Sequence, residues 1–129
     1  MQLSRQELKE LFVTAVVYLT IDIAYLSSKT AYFNKYFSKV QKSPLKFNKI
    51  PAIASYTLLV IGIYYFIIRE KKNLIHAFLL GIFVYGVYDL TNLATLSNWT
   101  LEFTIKDTLW GGIVFTFSTF IIYEILKRI

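Results

Sequence analysis

The chain has 129 residues, of which 56% are hydrophobic, and it contains no cysteine. Soluble domains are about 45–50% apolar, so the excess, gathered into long blocks, indicates an integral membrane protein. The absence of cysteine excludes disulfides, thiolate catalysis and cysteine-bound zinc. The formal net charge is +6, and the charged residues lie between the apolar blocks. This placement favours lysines that face anionic lipid headgroups over a nucleic-acid partner.

Four apolar blocks each have the length of a membrane-spanning helix. A span needs about 17–25 mostly apolar residues, because each residue rises about 1.5 Å across a hydrocarbon core about 30 Å thick. The blocks show no two-residue alternation, which excludes the strands of a membrane barrel. The sequence therefore predicts an all-α integral membrane protein, a four-transmembrane-helix bundle forming one domain over residues 1–129. The predicted spans are about 7–28, 50–69, 74–96 and 102–126.

The segment between the first two spans, about 30–43, has the pattern of a basic amphipathic helix. Aromatic residues recur on one side of it, including Tyr32, Phe33 and Tyr36, and lysines recur on the other. Such a helix lies in the headgroup plane with its aromatic side down. The alternative is a surface helix packed on neighbouring protein. The residues expected to bind anionic headgroups are Lys35, Lys39, Lys42 and Lys46.

Basic residues are divided almost equally between the two sides of the predicted bundle. The termini and the loop between the second and third spans carry seven, and the opposite side carries six. The positive-inside rule therefore gives no orientation. On the second side, the short loop before the fourth span contains Trp99, which we predict to be an interfacial anchor.

Three aspartates lie inside the predicted spans: Asp22, Asp89 and Asp107. A charged residue inside a span costs about 2.5–3.5 kcal/mol on insertion scales, which makes it a functional candidate by default. The first and third spans end on the surface where the fourth begins, so all three aspartates should lie roughly 6–11 Å below that surface. We therefore predict that they converge in one buried pocket beneath the amphipathic segment.

Hydroxyl, amide and glycine residues lie on the same helical faces as the aspartates. These faces should point at one another, because lipid cannot satisfy their donors and acceptors. Gly111 and Gly112 would let the fourth helix approach a neighbour closely. The alternative is a hydrogen-bonded cluster that only fixes helix packing. The expected donors to the carboxylates are Asn92, Thr91 or Thr108, and one of Tyr18, Tyr25 or Tyr88.

The segment Tyr88–Leu96, with the sequence YDLTNLATL, resembles the hallmark of a family of small predicted membrane proteins, domain of unknown function 2177. The similarity continues through Trp99 and Lys106–Gly111, where the family tends to have an aspartate followed by Trp-Gly. At Asp22 the family usually continues with Trp-Leu three residues later, and here Tyr25-Leu26 departs from that pattern. The resemblance covers nearly the whole chain and implies four spans and no established activity. Its motif residues coincide with the polar faces: Asp22, Asp89, Thr91, Asn92, Asp107 and Trp110.

Three functions are compatible with these features. The leading hypothesis is a permease- or channel-like protein whose aspartates bind or relay protons or cations, as a homo-oligomer because four short helices enclose little space. The second is a lipid-acting membrane enzyme or its accessory subunit, with carboxylates that would hold Mg²⁺ or Mn²⁺. The third is a structural protein of a cellular or viral membrane, with no chemistry at all. The high Lys, Ile, Asn, Phe and Tyr usage, with little Ala, is typical of an AT-rich genome such as that of a giant virus or a protist. The candidate pocket residues are Asp22, Asp89, Asn92, Asp107, Thr91, Thr108, Tyr88 and Trp110, with no cofactor and no nucleic-acid partner expected.

Overall fold

Five helices make up nearly all of the chain in the computed structural model, which describes residues 2–129. The second spanning helix ends in a short π-helical stretch, Tyr64–Ile68. Four of the helices are long and apolar enough to cross a membrane, which confirms the predicted four-helix bundle with an additional helix between the first two spans. The helix ends lie within two residues of the predicted ones. The helices are α1 (Arg5–Ser28), α2 (Thr30–Gln41), α3 (Lys49–Ile63), α4 (Leu74–Thr95) and α5 (Leu101–Arg128).

Polar side chains at the helix starts fix where α1, α4 and α5 begin. Ser4 accepts a hydrogen bond from the Glu7 amide at 3.0 Å, and the Glu7 carboxylate accepts one from the Ser4 amide at 2.9 Å. Asn73 and Thr100 cap α4 and α5 in the same way, each with a side-chain oxygen. These caps satisfy amides that the first helical turn leaves without a partner. The short turn before Thr100 makes α4 and α5 antiparallel neighbours.

Helix α5 lies at the centre of the bundle. It packs along α4 on one side and against α1 on the other, while α3 packs mainly on α1. The core between these helices includes Tyr18, Ile63 and Phe115, all of which are buried. Large apolar side chains such as Phe12 and Phe83 point outward, as expected where a helix faces lipid tails.

Glycines allow the backbones of α4 and α5 to touch. A Cβ atom at Gly81 would overlap the carbonyl group of Gly111, and a Cβ atom at Gly111 would overlap the ring of Tyr85. A Cβ atom at Gly112 would also overlap the ring of Phe78. Small residues are typical of membrane helices that cross at close range. The fourth spanning helix therefore makes the close approach that Gly111 and Gly112 predict.

The aromatic side of α2 packs on α5 and the loop before it. The Tyr36 ring stacks on that of Phe103 with centroids 4.1 Å apart, and its phenol oxygen accepts a hydrogen bond from the Thr100 amide at 3.0 Å. This part of the aromatic side therefore packs on neighbouring protein, which is the alternative that the sequence left open for α2. The side chain of Tyr32 remains 46% exposed. The lysines of the segment are exposed: Lys35, Lys39, Lys42 and Lys46.

Trp99 lies beneath α2, and the prediction that it is an interfacial anchor is wrong. Only 5% of the residue is exposed, because the rings of Phe37 and Phe103 pack against its indole. Its Nε1 atom donates a hydrogen bond to Thr104 Oγ1 at 3.1 Å. The sequence placed Trp99 at the correct membrane surface, but α2 folds over it and removes it from the lipid.

The glycine crossing gives a matched pair of stability predictions. Gly81→Ala should lower the free energy of unfolding by about 1–3 kcal/mol, because the added methyl group forces the α4 and α5 backbones apart. Gly62→Ala is the control, since a Cβ atom there meets nothing within 4 Å. It should raise stability by up to about 1 kcal/mol through its helix propensity. Thermal unfolding in detergent measures both, and equal effects would contradict the crossing.

Candidate functional site

The three aspartates lie at one depth in the bundle. Asp22 lies six residues before the end of α1, Asp89 six before the end of α4, and Asp107 six after the start of α5. At a rise of about 1.5 Å per residue, each lies about 9 Å from that end of its helix. Helices α1 and α4 end on the side where α5 begins, so the three carboxyl groups share one leaflet, on the side of α2.

Asp22 joins three helices through two neutral donors. Tyr56 on α3 donates its phenol hydrogen to Oδ2 at 2.7 Å, and Trp110 Nε1 on α5 donates to Oδ1 at 3.2 Å. The Trp110 indole also stacks on Tyr25, one turn beyond Asp22 on α1, with ring centroids 3.8 Å apart. Both carboxyl oxygens of Asp22 are therefore held in place without any contact to a positive charge.

Asp89 and Asp107 form a carboxyl pair between α4 and α5. Asp89 is wholly buried, and Thr108 donates a hydrogen bond to its Oδ2 at 3.3 Å. Its other oxygen, Oδ1, is buried without a hydrogen-bond donor in the described chain, and Asp107 is the neighbouring carboxyl group. An ionised carboxylate can only accept hydrogen bonds, so a hydrogen bond between the two groups requires a proton on one of them.

Within residues 2–129, basic side chains do not pair with these aspartates. The ion pairs there are Arg69 with Glu70, Lys106 with Glu102 and Lys127 with Glu124. Lys106 precedes Asp107 in the sequence, but its ammonium group lies 2.8 Å from the Glu102 carboxylate on the exposed side of α5. The charge of the three aspartates is therefore left to hydrogen bonds, to protons or to an ion from outside.

A cavity of about 440 Å³ opens between α1, α2, α4 and α5. The side chains of Asp22 and Asp107 both line it, and Asn34 and Thr30 lie at its α2 side. Among the described residues that line it, none is basic. The aromatic lining residues are Tyr25, Phe33, Phe37, Phe47, Tyr85, Tyr88, Phe103 and Trp110.

A layer of aromatic rings closes the cavity on the side away from α2. The phenol oxygens of Tyr18 and Tyr85 lie 2.8 Å apart in a hydrogen bond, and the Phe115 ring packs edge-on against both rings. Beyond this layer, the hydroxyl groups of Ser118 and Thr119 are buried without a hydrogen-bond partner among residues 2–129. The cavity is therefore accessible from one half of the bundle only.

The structure brings some of the sequence-predicted residues together and separates others. Thr108 contacts a carboxylate as expected, and Trp110 does so as well. Thr91 is exposed and donates to the Val87 carbonyl of its own helix at 2.6 Å. Tyr88 lines the cavity and is 54% exposed. Neither Asn92 nor the expected phenols donate to an aspartate in the described chain.

Tyr56 is the contact that sequence reasoning missed. Helix α3 begins on the same surface as α5, and Tyr56 lies seven residues after Lys49. Its depth is therefore about 10 Å at about 1.5 Å per residue, which matches the depth of Asp22. Depth singles out charged residues inside a span as site candidates, and α3 contains no charged residue after Lys49. The same calculation applied to phenols would have identified Tyr56.

The four long apolar helices make this chain a multi-pass integral membrane protein. A family model described as "Predicted membrane protein (DUF2177)" matches residues 8–123, and the chain belongs to that family. This confirms the resemblance seen at Tyr88–Leu96. No curated protein and no solved structure matches the chain.

The hydrogen bond between Tyr56 and Asp22 gives a second stability prediction. Tyr56→Phe should lower the free energy of unfolding by about 1–2 kcal/mol. The substitution leaves one buried carboxyl oxygen of Asp22 without a hydrogen-bond donor. The contribution of one hydrogen bond to stability ranges from about 0.6 kcal/mol within membranes to about 1.5–3 kcal/mol for bonds to charged groups. Tyr65→Phe on the same helix is the control, because Tyr65 is exposed. A loss of stability no larger than that of the control would show that the bond contributes nothing.

Proposed function

We propose that the protein binds protons or small cations at Asp22, Asp89 and Asp107 and moves them across the membrane. The observation that carries the proposal is that no basic side chain neutralises these carboxyl groups in the described chain. Three carboxyl groups lie at one depth in the spanning helices, and in the described chain none forms an ion pair. Intramembrane acidic residues in proteins usually pair with each other or mark the path of an ion.

The pair formed by Asp89 and Asp107 supports the proton as one ligand. A hydrogen bond between two carboxyl groups would contain one proton, which the pair could take up or release. Asp107 also lines the cavity, so a proton on the pair has a route to the space beneath α2. Asp89 lies behind Asp107, where Thr108 holds it.

The aromatic walls of the cavity support a cation as the other ligand. The faces of aromatic rings carry negative partial charge and attract cations, by about 0.5–2 kcal/mol depending on exposure. Tyr25 and Trp110 stand beside Asp22, and Phe103 and Tyr88 stand on the side of Asp107. A small cation in this space would therefore contact both carboxylates and ring faces.

Transport requires a second opening, because the cavity ends at Tyr18, Tyr85 and Phe115. Two routes would supply it. The rings of this layer could separate while α2 closes the other side, as in alternating access. Alternatively, several copies could assemble around a shared path, since four short helices enclose little space. We favour a homo-oligomer, because α4 packs mainly on α5 and leaves most of its surface outward.

The two other functions have less support from the described residues. A lipid-acting enzyme of the kind considered above needs carboxylates that converge on a metal, and residues 2–129 contain no group of three His, Asp or Glu side chains arranged to hold one. A purely structural protein needs the aspartates only for helix packing. This reading predicts that Asp→Asn variants lose stability and nothing else, so the assay below separates it from transport.

The flux prediction uses the full-length protein in proteoliposomes that contain a pH-sensitive or cation-sensitive dye. Wild-type protein should dissipate an imposed proton or cation gradient faster than empty liposomes. Asp22→Asn and Asp107→Asn should each slow this flux about tenfold or more, because about 1.4 kcal/mol of lost interaction corresponds to a factor of ten. Separate dyes for protons, Na⁺ and K⁺ identify the ligand.

Glu102→Gln is the matched control for these variants. Glu102 lies on α5 less than two turns from Asp107, it is exposed, and it pairs with Lys106 outside the cavity. Its flux should equal that of the wild type. Wild-type flux in both aspartate variants, or no flux above that of empty liposomes in the wild type, would refute the proposed function.

A further inference from the structure

A groove of about 840 Å³ runs between α1 and α3 on the outside of the bundle. On α1 it extends from Leu11 to Ser27, a distance of about 24 Å at about 1.5 Å per residue. Its walls are apolar along most of this length, with Leu19 and Ile23 on one side and Val60 on the other. Polar side chains gather at one end, the mouth near α2, which Ser27, Thr30 and Lys49 line.

We propose that this groove binds one acyl chain of an anionic phospholipid, and that the lysines at its mouth bind the headgroup. The groove is longer than one leaflet of the hydrocarbon core, which is about 15 Å thick. A lipid of the leaflet on the side of α2 can therefore insert a whole chain along it. The hydroxyl group of Thr57 in the wall already donates to the Ile53 carbonyl at 2.7 Å, and that of Tyr56 donates to Asp22.

The charge at the mouth favours an anionic headgroup. Lys49 lines the groove, and Lys46 and Lys42 are exposed in the segment just before it. The sequence has no acidic residue between Asp22 and Glu70. In the part of the chain that the structure describes, these lysines take part in no ion pair. Lysines next to a membrane surface attract anionic lipids.

The same charges disfavour a second copy of the chain as the occupant. Two copies inserted with the same topology have their α2 surfaces on the same side, so a neighbour that filled the groove would bring its own basic segment to the mouth. Like charges at close range repel one another. A lipid brings negative charge to Lys46 and Lys49 and an apolar chain to the wall, and so matches both parts of the groove.

Tyr56 connects this groove to the acidic site. Its ring lines the groove, and its phenol group donates to Asp22 at 2.7 Å. A lipid chain in the groove packs against the ring and keeps the phenol turned toward the carboxylate. Lipid binding itself does not depend on transport, so each proposal can fail without the other.

The test measures lipid retained by the full-length protein from mixed phosphatidylglycerol and phosphatidylcholine, by native mass spectrometry. We expect one phosphatidylglycerol to be retained per chain in preference to phosphatidylcholine. The double variant Lys46→Gln and Lys49→Gln should weaken this binding about 30-fold, because each lysine near an anionic surface contributes about 1 kcal/mol. Ala52→Trp, which fills the groove, should abolish it.

Two controls separate the groove from general effects of charge and bulk. Lys71→Gln with Lys72→Gln removes two lysines on the opposite side of the membrane, and Val87→Trp adds a ring to the outer face of α4. Both should bind phosphatidylglycerol as the wild type does. Thermal unfolding checks that Ala52→Trp is folded, and Ala15→Leu, a smaller substitution at the deep end of the groove, serves if it is not.

Three results would overturn the proposal. One is equal retention of the two lipids by the wild type. Another is binding that depends on the lysines but is unchanged by Ala52→Trp and Ala15→Leu, which would describe a diffuse basic surface. The last is a wild-type protein that forms a dimer without bound lipid, together with an Ala52→Trp variant that is monomeric. This result would show that a second copy of the chain occupies the groove.

Discussion

The contact between the backbones of α4 and α5 is the constraint on which the acidic site depends. Gly81 lies against Gly111, and no larger residue fits at either position without moving a helix or a ring. Asp89 follows Gly81 by about two turns on α4, and Asp107 precedes Gly111 by about one turn on α5. Because the helices are antiparallel, both aspartates lie on the same side of this crossing, where Thr108 reaches Asp89. A wider separation of the helices would leave Asp89 buried with no hydrogen-bond donor, and that costs several kcal/mol in a membrane.

Asp22 extends this arrangement to the other half of the bundle. Helix α3 packs mainly on α1, and the bond from Tyr56 to Asp22 ties it to the carboxyl cluster. The donors to Asp22 are a phenol and an indole, which are neutral at every physiological pH. A lysine or arginine in the same place would neutralise the carboxylate permanently. Neutral donors instead hold the side chain in position and leave its charge free to respond to a proton or a cation.

The sequence determines depth in this fold much better than it determines which helices face each other. The bilayer sets the length of each span, and the direction of the chain then gives the depth of Asp22, Asp89 and Asp107 within a residue or two. The residues on one face of a helix, however, do not determine which neighbouring helix that face contacts. For this reason the phenol beside Asp22 comes from Tyr56 on α3 and not from the three tyrosines considered on α1 and α4. Thr91 belongs to the hallmark segment but bonds to its own helix, since a hydroxyl group can satisfy itself on the preceding turn.

The basic segment above the site affects which ions can reach the three carboxyl groups. Six lysines lie between Asp22 and Glu70 on the side where the cavity opens. Their combined field lowers the local concentration of every cation that approaches through water, protons and metal ions alike. An anionic lipid at Lys46 and Lys49 would cancel part of this field and so make the cavity accessible to cations. On both proposals, a bound lipid would act on the acidic cavity electrostatically at the surface, and Tyr56 would connect the two within the bundle, since its ring lines the groove and its phenol donates to Asp22. Proton or cation flux should then be slower in a membrane that contains no anionic lipid, because the positive field at the mouth of the cavity is not reduced.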